Sequence, residues 1–203
     1  MNRMKFNNQN KDAFHEAGHL VIASFFVEHL DVKGLTLDPA ISKQYDSLSK
    51  GGLNLKLNET STSRKDQLLG LLCICLAGSF TELCLDKSVP RPPDSSTKAL
   101  VIFRDVSTNK RKGWGGDLEV INEKVKLQIQ HDLNYSINEF LSMQNDAASL
   151  VWGLLNEPAI IGYIETVADE LKSKTTLTEQ ELKDLINGSG LSSFIMKYKD
   201  SSE

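Results

Sequence analysis

The residues that most restrict what this chain can fold into are "KDAFHEAGHLVIASFF", positions 11–26. Leu20, Val21, Ile22, Phe25 and Phe26 cover most of a helix circumference, the pattern of a core helix. The same stretch carries His15, Glu16 and His19. Ionisable groups in a core are costly unless they are paired or hold a metal. A helix that must be buried and must also satisfy three such groups obliges the rest of the fold to bring partners to it.

His15 and His19 stand one helical turn apart, which sets their Cβ atoms roughly 5–6 Å apart on one face. That spacing suits two imidazoles closing on one tetrahedral zinc. Glu16 lies on the flank of the same face. Zinc lowers the pKa of a water, and a carboxylate angled toward that water can take its proton, which is the chemistry of the His-Glu-x-x-His pattern. Ala17 and Gly18 are small and leave room for close packing or for a ligand.

A catalytic zinc takes a third protein donor. His29 sits at the expected end of the same helix (11–28) and cannot fold back onto the metal. His131 lies among polar residues of a later helix and is expected to face solvent. A carboxylate remains. Glu82 is isolated in the apolar "AGSFTELCL", where an unpaired charge is expensive. Asp117 stands at a glycine-flanked helix start in "GWGGDLEV", a good place to present a carboxylate inward and also an ordinary place for an N-cap.

The rest of the chain reads as one mainly helical domain with a small β element. Residues 1–10 are a polar leader. "DVKGLTLDP" and "GGLNLKLNE" have strand character, and their two strands, near residues 32–57, can pair as a hairpin or join a small sheet. Ser63 with Asp66 marks a helix start, and the apolar content then runs to Leu85. The run "LLGLLCICLAGSF", residues 68–80, is short for a bilayer and reads as a core helix. Residues 86–113 hold three of the five prolines and read as a long loop with at most a short strand at "ALVIF". Leu118, Ile121, Val125, Ile129, Leu133, Ile137 and Leu141 keep one helical spacing. Residues 146–172 form another helix, interrupted at Pro158. Thr178-x-x-Glu181 opens a short last helix stopped at Gly188, so the domain spans 11–190 with a frayed tail over 191–203.

Composition excludes little but usefully. With 40% apolar and 25% charged residues the chain is ordinary globular material, and a net charge of −4 argues against nucleic acid as a main partner. "MNRMKFNNQNKDAF" has no apolar run of the signal-peptide kind, so a cytoplasmic location with no membrane span is expected. The three cysteines lie in or beside the apolar run. Cys73 and Cys75, two apart on a helix, point in different directions and read as small buried hydrophobes.

Several segments, in order, resemble the zinc peptidase domain of FtsH-type AAA proteases. "HEAGHLVIA" is similar to that family's zinc helix. "VKGLTLDP" with "GGLNLKL" is similar to the strand pair that follows it. "LLGLLCICLAGSFTEL" is similar to its apolar helix ending in Gly-Gly-Arg-x-Ala-Glu-Glu, and "GWGGDLEVINEKV" to its Gly-Ala-x-Asn-Asp-Leu helix start. "LLNEPAIIGYIETVADELKSKTTLTEQELKDLI" is similar to its C-terminal helices. The resemblance covers about residues 11–188. It implies His15, His19 and Asp117 as zinc ligands, Glu16 as general base, and Glu82 as a group that orients a ligand histidine.

The departures are Ser79 in place of arginine, Gly116 in place of asparagine, Asn122 in place of threonine, and a longer loop ahead of Asp117. No Gly-x-x-x-x-Gly-Lys-[Ser/Thr] phosphate loop is present. The expectation is a metallo-endopeptidase acting on peptides or unfolded segments without ATP. A separate ATPase or adaptor is a fitting partner, and a homo-oligomer is compatible. The alternative is an inactive zinc-binding interaction domain that kept the cleft.

Overall fold

The computed structural model describes residues 7, 10–45, 52–86, 94–108 and 114–200. Most of the expected leader, residues 87–93 and 109–113 of the expected loop, and the last three residues of the tail lie outside them. The described residues are mostly helical, with a three-stranded antiparallel sheet.

Two helices form the centre. α1 (Lys11–Ala23) is followed by a single 3₁₀ turn (Ser24–Phe26), so the helix expected to reach residue 28 ends earlier. Phe14, Leu20 and Ile22 are fully buried; burying each such side chain contributes about 1.5–3 kcal/mol. α3 (Arg64–Leu85) starts at Ser63, whose hydroxyl accepts the Asp66 N–H at 3.2 Å. At 22 residues α3 is longer than the apolar run within it, and by length and composition alone it could cross a bilayer. However, 83% of its most apolar window is buried in the protein, which makes it a core helix here. Gly18 is where α1 and α3 touch: a Cβ there would run into the Thr81 hydroxyl. Close packing, rather than a ligand, uses that small residue.

β1 (Leu30–Thr36) is the middle strand. β2 (Leu53–Leu57) pairs with it antiparallel, Leu30 opposite Leu57 and Leu35 opposite Leu53. β3 (Thr176–Thr178), which the sequence reading did not contain, pairs on the other side, Thr36 opposite Thr176. The Thr36 and Thr176 hydroxyls lie 2.6 Å apart, and the Leu37 N–H donates to the Thr175 carbonyl at 2.8 Å. A single turn, α2 (Pro39–Ser42), follows β1.

Residues 96–108 correct the long-loop expectation. They form α4 (Ser96–Thr108), with Ala99, Leu100 and Phe103 buried and Phe103 set edge-on to Phe80 of α3. α4 is therefore part of the core rather than a loop or a strand. α5 (Trp114–Val120) runs through a five-residue π turn (Ile121–Val125) into α6 (Lys126–Asp132). The expected continuous helix then stops. Asn134 takes φ 54°, and Ser136 opens α7 (Ile137–Leu155) with a capping box to Glu139. Ile137 and Leu141, which continue the apolar spacing in the sequence, are exposed. α8 (Pro158–Lys174) begins at the expected proline break.

The expected frayed tail is also corrected. α9 (Glu179–Ser189) is closed by Gly190 in the left-handed conformation, not by Gly188, and α10 (Leu191–Asp200) follows. Leu191 and Ile195 are buried, and Phe194 stacks on Tyr198. The three thiols are free. Burial pushes all three pKa values up, that of Cys84 to about 12, as fits inert packing groups.

The α9 cap gives a pH prediction. The Thr178 backbone N–H, the Lys174 ammonium and the Thr178 hydroxyl hold the Glu181 pKa down at about 2, below its ordinary 4.5. A carboxylate lowered on folding stabilises above its unfolded pKa and loses that contribution as it is protonated. The contribution is thus full above about pH 4.5 and disappears toward pH 2. Glu181→Gln is expected to flatten this part of the acid limb in melting temperature against pH, with the two curves converging near pH 2.

Candidate metal centre

Lys11, His15 and His19 fall four apart on one stripe of α1. Ile74, Gly78 and Glu82 fall four apart on one stripe of α3. The two stripes run antiparallel and meet in order. The His19 ring donates from Nδ1 to the Ile74 carbonyl at 2.6 Å. The His15 ring donates from Nδ1 to Glu82 Oε1 at 2.7 Å, and Lys11 Nζ lies 2.5 Å from Glu82 Oε2. Between these contacts both Nε2 atoms face Gly78. A Cβ on Gly78 would sit 2.6 Å from each of them.

These partners assign the protons. A carbonyl only accepts, so His19 Nδ1 carries hydrogen. Glu82 accepts from Lys11 on one oxygen and from His15 on the other, so His15 Nδ1 carries hydrogen as well. In neutral rings both Nε2 lone pairs then face each other, 3.0 Å apart, with the rings nearly perpendicular at 82°.

Asp117 brings a negative charge to the same point. It lies inside α5 rather than at its cap, and its carboxylate is buried. Oδ2 is 3.3 Å from His15 Nε2 and Oδ1 is 3.6 Å from His19 Nε2. Ser79, which stands where the resembled family has arginine, donates its hydroxyl to Oδ2 at 3.4 Å. Two nitrogen lone pairs and a carboxylate in a buried space need a cation between them. A proton is one answer: burial pulls the His15 pKa down, but Asp117, by hydrogen bond and charge, and then Glu82 and Glu16 outweigh it, leaving it well above the ordinary value. A divalent metal is the other. The three donor atoms lie within 4.8 Å of one another, and the missing side chain at Gly78 leaves the place that an ion would fill. Two imidazoles with one carboxylate are a donor set that a divalent transition metal can take.

Neither a family model nor a curated protein matches this chain. Any functional reading therefore stands on the site and on the resemblance in its motifs.

Glu16 is the remaining member. Its carboxyl accepts the Gly52 backbone N–H just ahead of β2, and its Oε2 is shielded from solvent with no hydrogen-bond partner. Burial raises its pKa, and the charges of His19 and His15 reduce that rise. The Gly52 carbonyl in turn accepts the Thr36 N–H at 2.8 Å, and a Cβ on Gly52 would collide with the Thr36 carbonyl. The sheet thus holds the glutamate by its backbone.

The structure brings together His15, Glu16, His19, Glu82 and Asp117. It keeps two other histidines apart: His29 pairs with Ser61 at 2.8 Å, and His131 is 90% exposed beside Asp132. Lys11, Gly52 and Gly78 were not among the candidates read from sequence. Gly78 had a signal, since a glycine inside an apolar helix costs about 1 kcal/mol against alanine and calls for a reason. Gly52 and Lys11 had none, because their partners lie far along the chain.

Proposed function

We propose that this chain is a zinc-dependent metallo-endopeptidase of the kind found in the FtsH-type peptidase domain, cleaving peptides or unfolded segments without an ATPase of its own. The observation that carries the reading is the convergence of His15 Nε2, His19 Nε2 and the Asp117 carboxylate, with the unpartnered Glu16 oxygen on the same helix. Three protein donors are the count of catalytic rather than structural zinc sites. A structural pair of histidines would have no use for Glu16.

His15, His19 and Asp117 would hold the ion. Zinc supplies Lewis acidity when bound, polarising a carbonyl and acidifying water. The protein's own residues do the rest. Glu16 takes a proton at Oε2 from the attacking water and returns it to the leaving amine. Its raised pKa favours that exchange, because a carboxylate with ordinary acidity is a weaker base. Gly52 holds the other end of the carboxyl group. Because Gly52 directly precedes β2, an outer strand of the sheet, a substrate added along that strand would arrive beside Glu16.

The test is metal content with activity. Purified protein is expected to carry about one zinc per chain by elemental analysis, to cleave casein, and to lose both to a strong chelator, with activity returning on zinc addition. Zinc without cleavage of any unfolded substrate would favour the interaction-domain alternative. Absence of zinc binding would remove both readings.

A further inference from the structure

We propose that Lys11 is a positioning residue of this site, fixing the His15 ring through Glu82. The inference rests on the metal reading above. The two histidines are held differently. His19 donates to the Ile74 carbonyl, a rigid backbone acceptor on α3. His15 donates to Glu82, whose carboxylate sits on three torsions, the last of them broad. Left alone, either Glu82 oxygen could turn to the ring, and the ring would turn with it. Lys11 removes that freedom by binding Oε2 at 2.5 Å, which commits Oε1 to His15.

The placement of Lys11 argues for such a role. It opens α1, at the positive end of the helix dipole, where a cation is disfavoured. Its side chain is only 25% exposed. A lysine kept in an unfavourable position and largely buried is held there by its partner, and that partner touches a ligand. Lys11, Glu82 and His15 form one chain across two helices, ending on the nitrogen that faces the metal place.

The experiment measures zinc affinity by chelator competition, and the d–d spectrum of the cobalt-substituted protein, for wild type, K11M, K11Q, K11R, E82Q and K11M/E82Q. K11M is expected to weaken zinc about 10-fold, the lower end of the range for groups behind a ligand, and to shift the cobalt bands. K11Q should fall between K11M and wild type, and K11R should recover most of the affinity. Because Lys11 acts through Glu82, adding K11M to E82Q should change affinity by no more than about twofold. A plain ion pair between helices predicts otherwise: a lower melting temperature of the metal-free protein with zinc affinity and cobalt spectrum unchanged. That result in K11M, or in K11Q if K11M does not fold, overturns the inference, as does full additivity in the double variant. Wild type that binds no zinc overturns it together with the metal reading, so the two failures are told apart.

Discussion

Glu16→Gln is expected to keep zinc at about one per chain and to lower casein cleavage about 10²- to 10⁴-fold, the range for loss of a general acid–base group. The substitution preserves shape. The glutamine oxygen can still accept the Gly52 N–H, and the amide nitrogen takes the place of the shielded Oε2. What is lost is basicity. Glu16 makes no bond to the other members of the site that would hold the fold together, and burial already raises the pKa of its carboxyl. Removing the charge therefore costs little stability, and the melting temperature with zinc should stay near that of wild type. Two outcomes sink the role. Cleavage within tenfold of wild type would mean that another base does the work. Loss of zinc in the variant would mean that Glu16 belongs to the ion rather than to the water.

The site was partly legible in the sequence because its first half is local. One turn of one helix sets His15, Glu16 and His19, and periodicity alone places them on or beside a buried face. Glu82 was visible as a charge in an apolar run, where it had to have a partner; the His15 ring and the Lys11 ammonium are that partner. Asp117 was not fixed by pattern. Spacing left it and Glu82 as equals, and the family resemblance was needed to give them different parts. The geometry separates them, one at Nδ1 and the other at Nε2 of the same ring. Gly52 was out of reach because it meets Glu16 only after β2 has paired with β1.

The errors in the fold have the same origin. Apolar spacing alone does not show where one helix ends and the next begins. Ile137 and Leu141 continued a spacing across residues 133–136, although Ser136 and Glu139 form a capping box there. "ALVIF" has strand composition in a proline-containing stretch, yet its buried positions, 99, 100 and 103, lie on one helix face. In the tail, Leu191, Phe194, Ile195 and Tyr198 hold helical spacing that only tertiary contact makes decisive: Tyr198 meets Phe25 edge-on, and Lys199 pairs with Glu28.

Gly78→Ala is expected to empty the site of zinc while leaving the protein folded. A methyl group at Gly78 would stand 2.6 Å from both His15 Nε2 and His19 Nε2, in the space their lone pairs share. Two effects oppose each other in the metal-free protein. Alanine gains about 1 kcal/mol over glycine in a helix interior, and overpacking typically costs about 1–3 kcal/mol. The net change is small, from near zero to about 2 kcal/mol of destabilisation. The loss shows in the zinc-loaded state, whose extra stability comes from binding. Zinc content should fall below about a tenth of wild type, and neither zinc nor chelator should move the melting temperature any longer. Gly153→Ala is the control. It is also a helical glycine, but a Cβ there meets nothing within 4 Å, so it should stabilise the protein by about 0.5–1 kcal/mol and leave zinc untouched. Full zinc occupancy in Gly78→Ala would place the ion elsewhere. His15, His19 and Asp117 would then be a hydrogen-bonded cluster that shares a proton, and hydrolysis at this site would lose its basis.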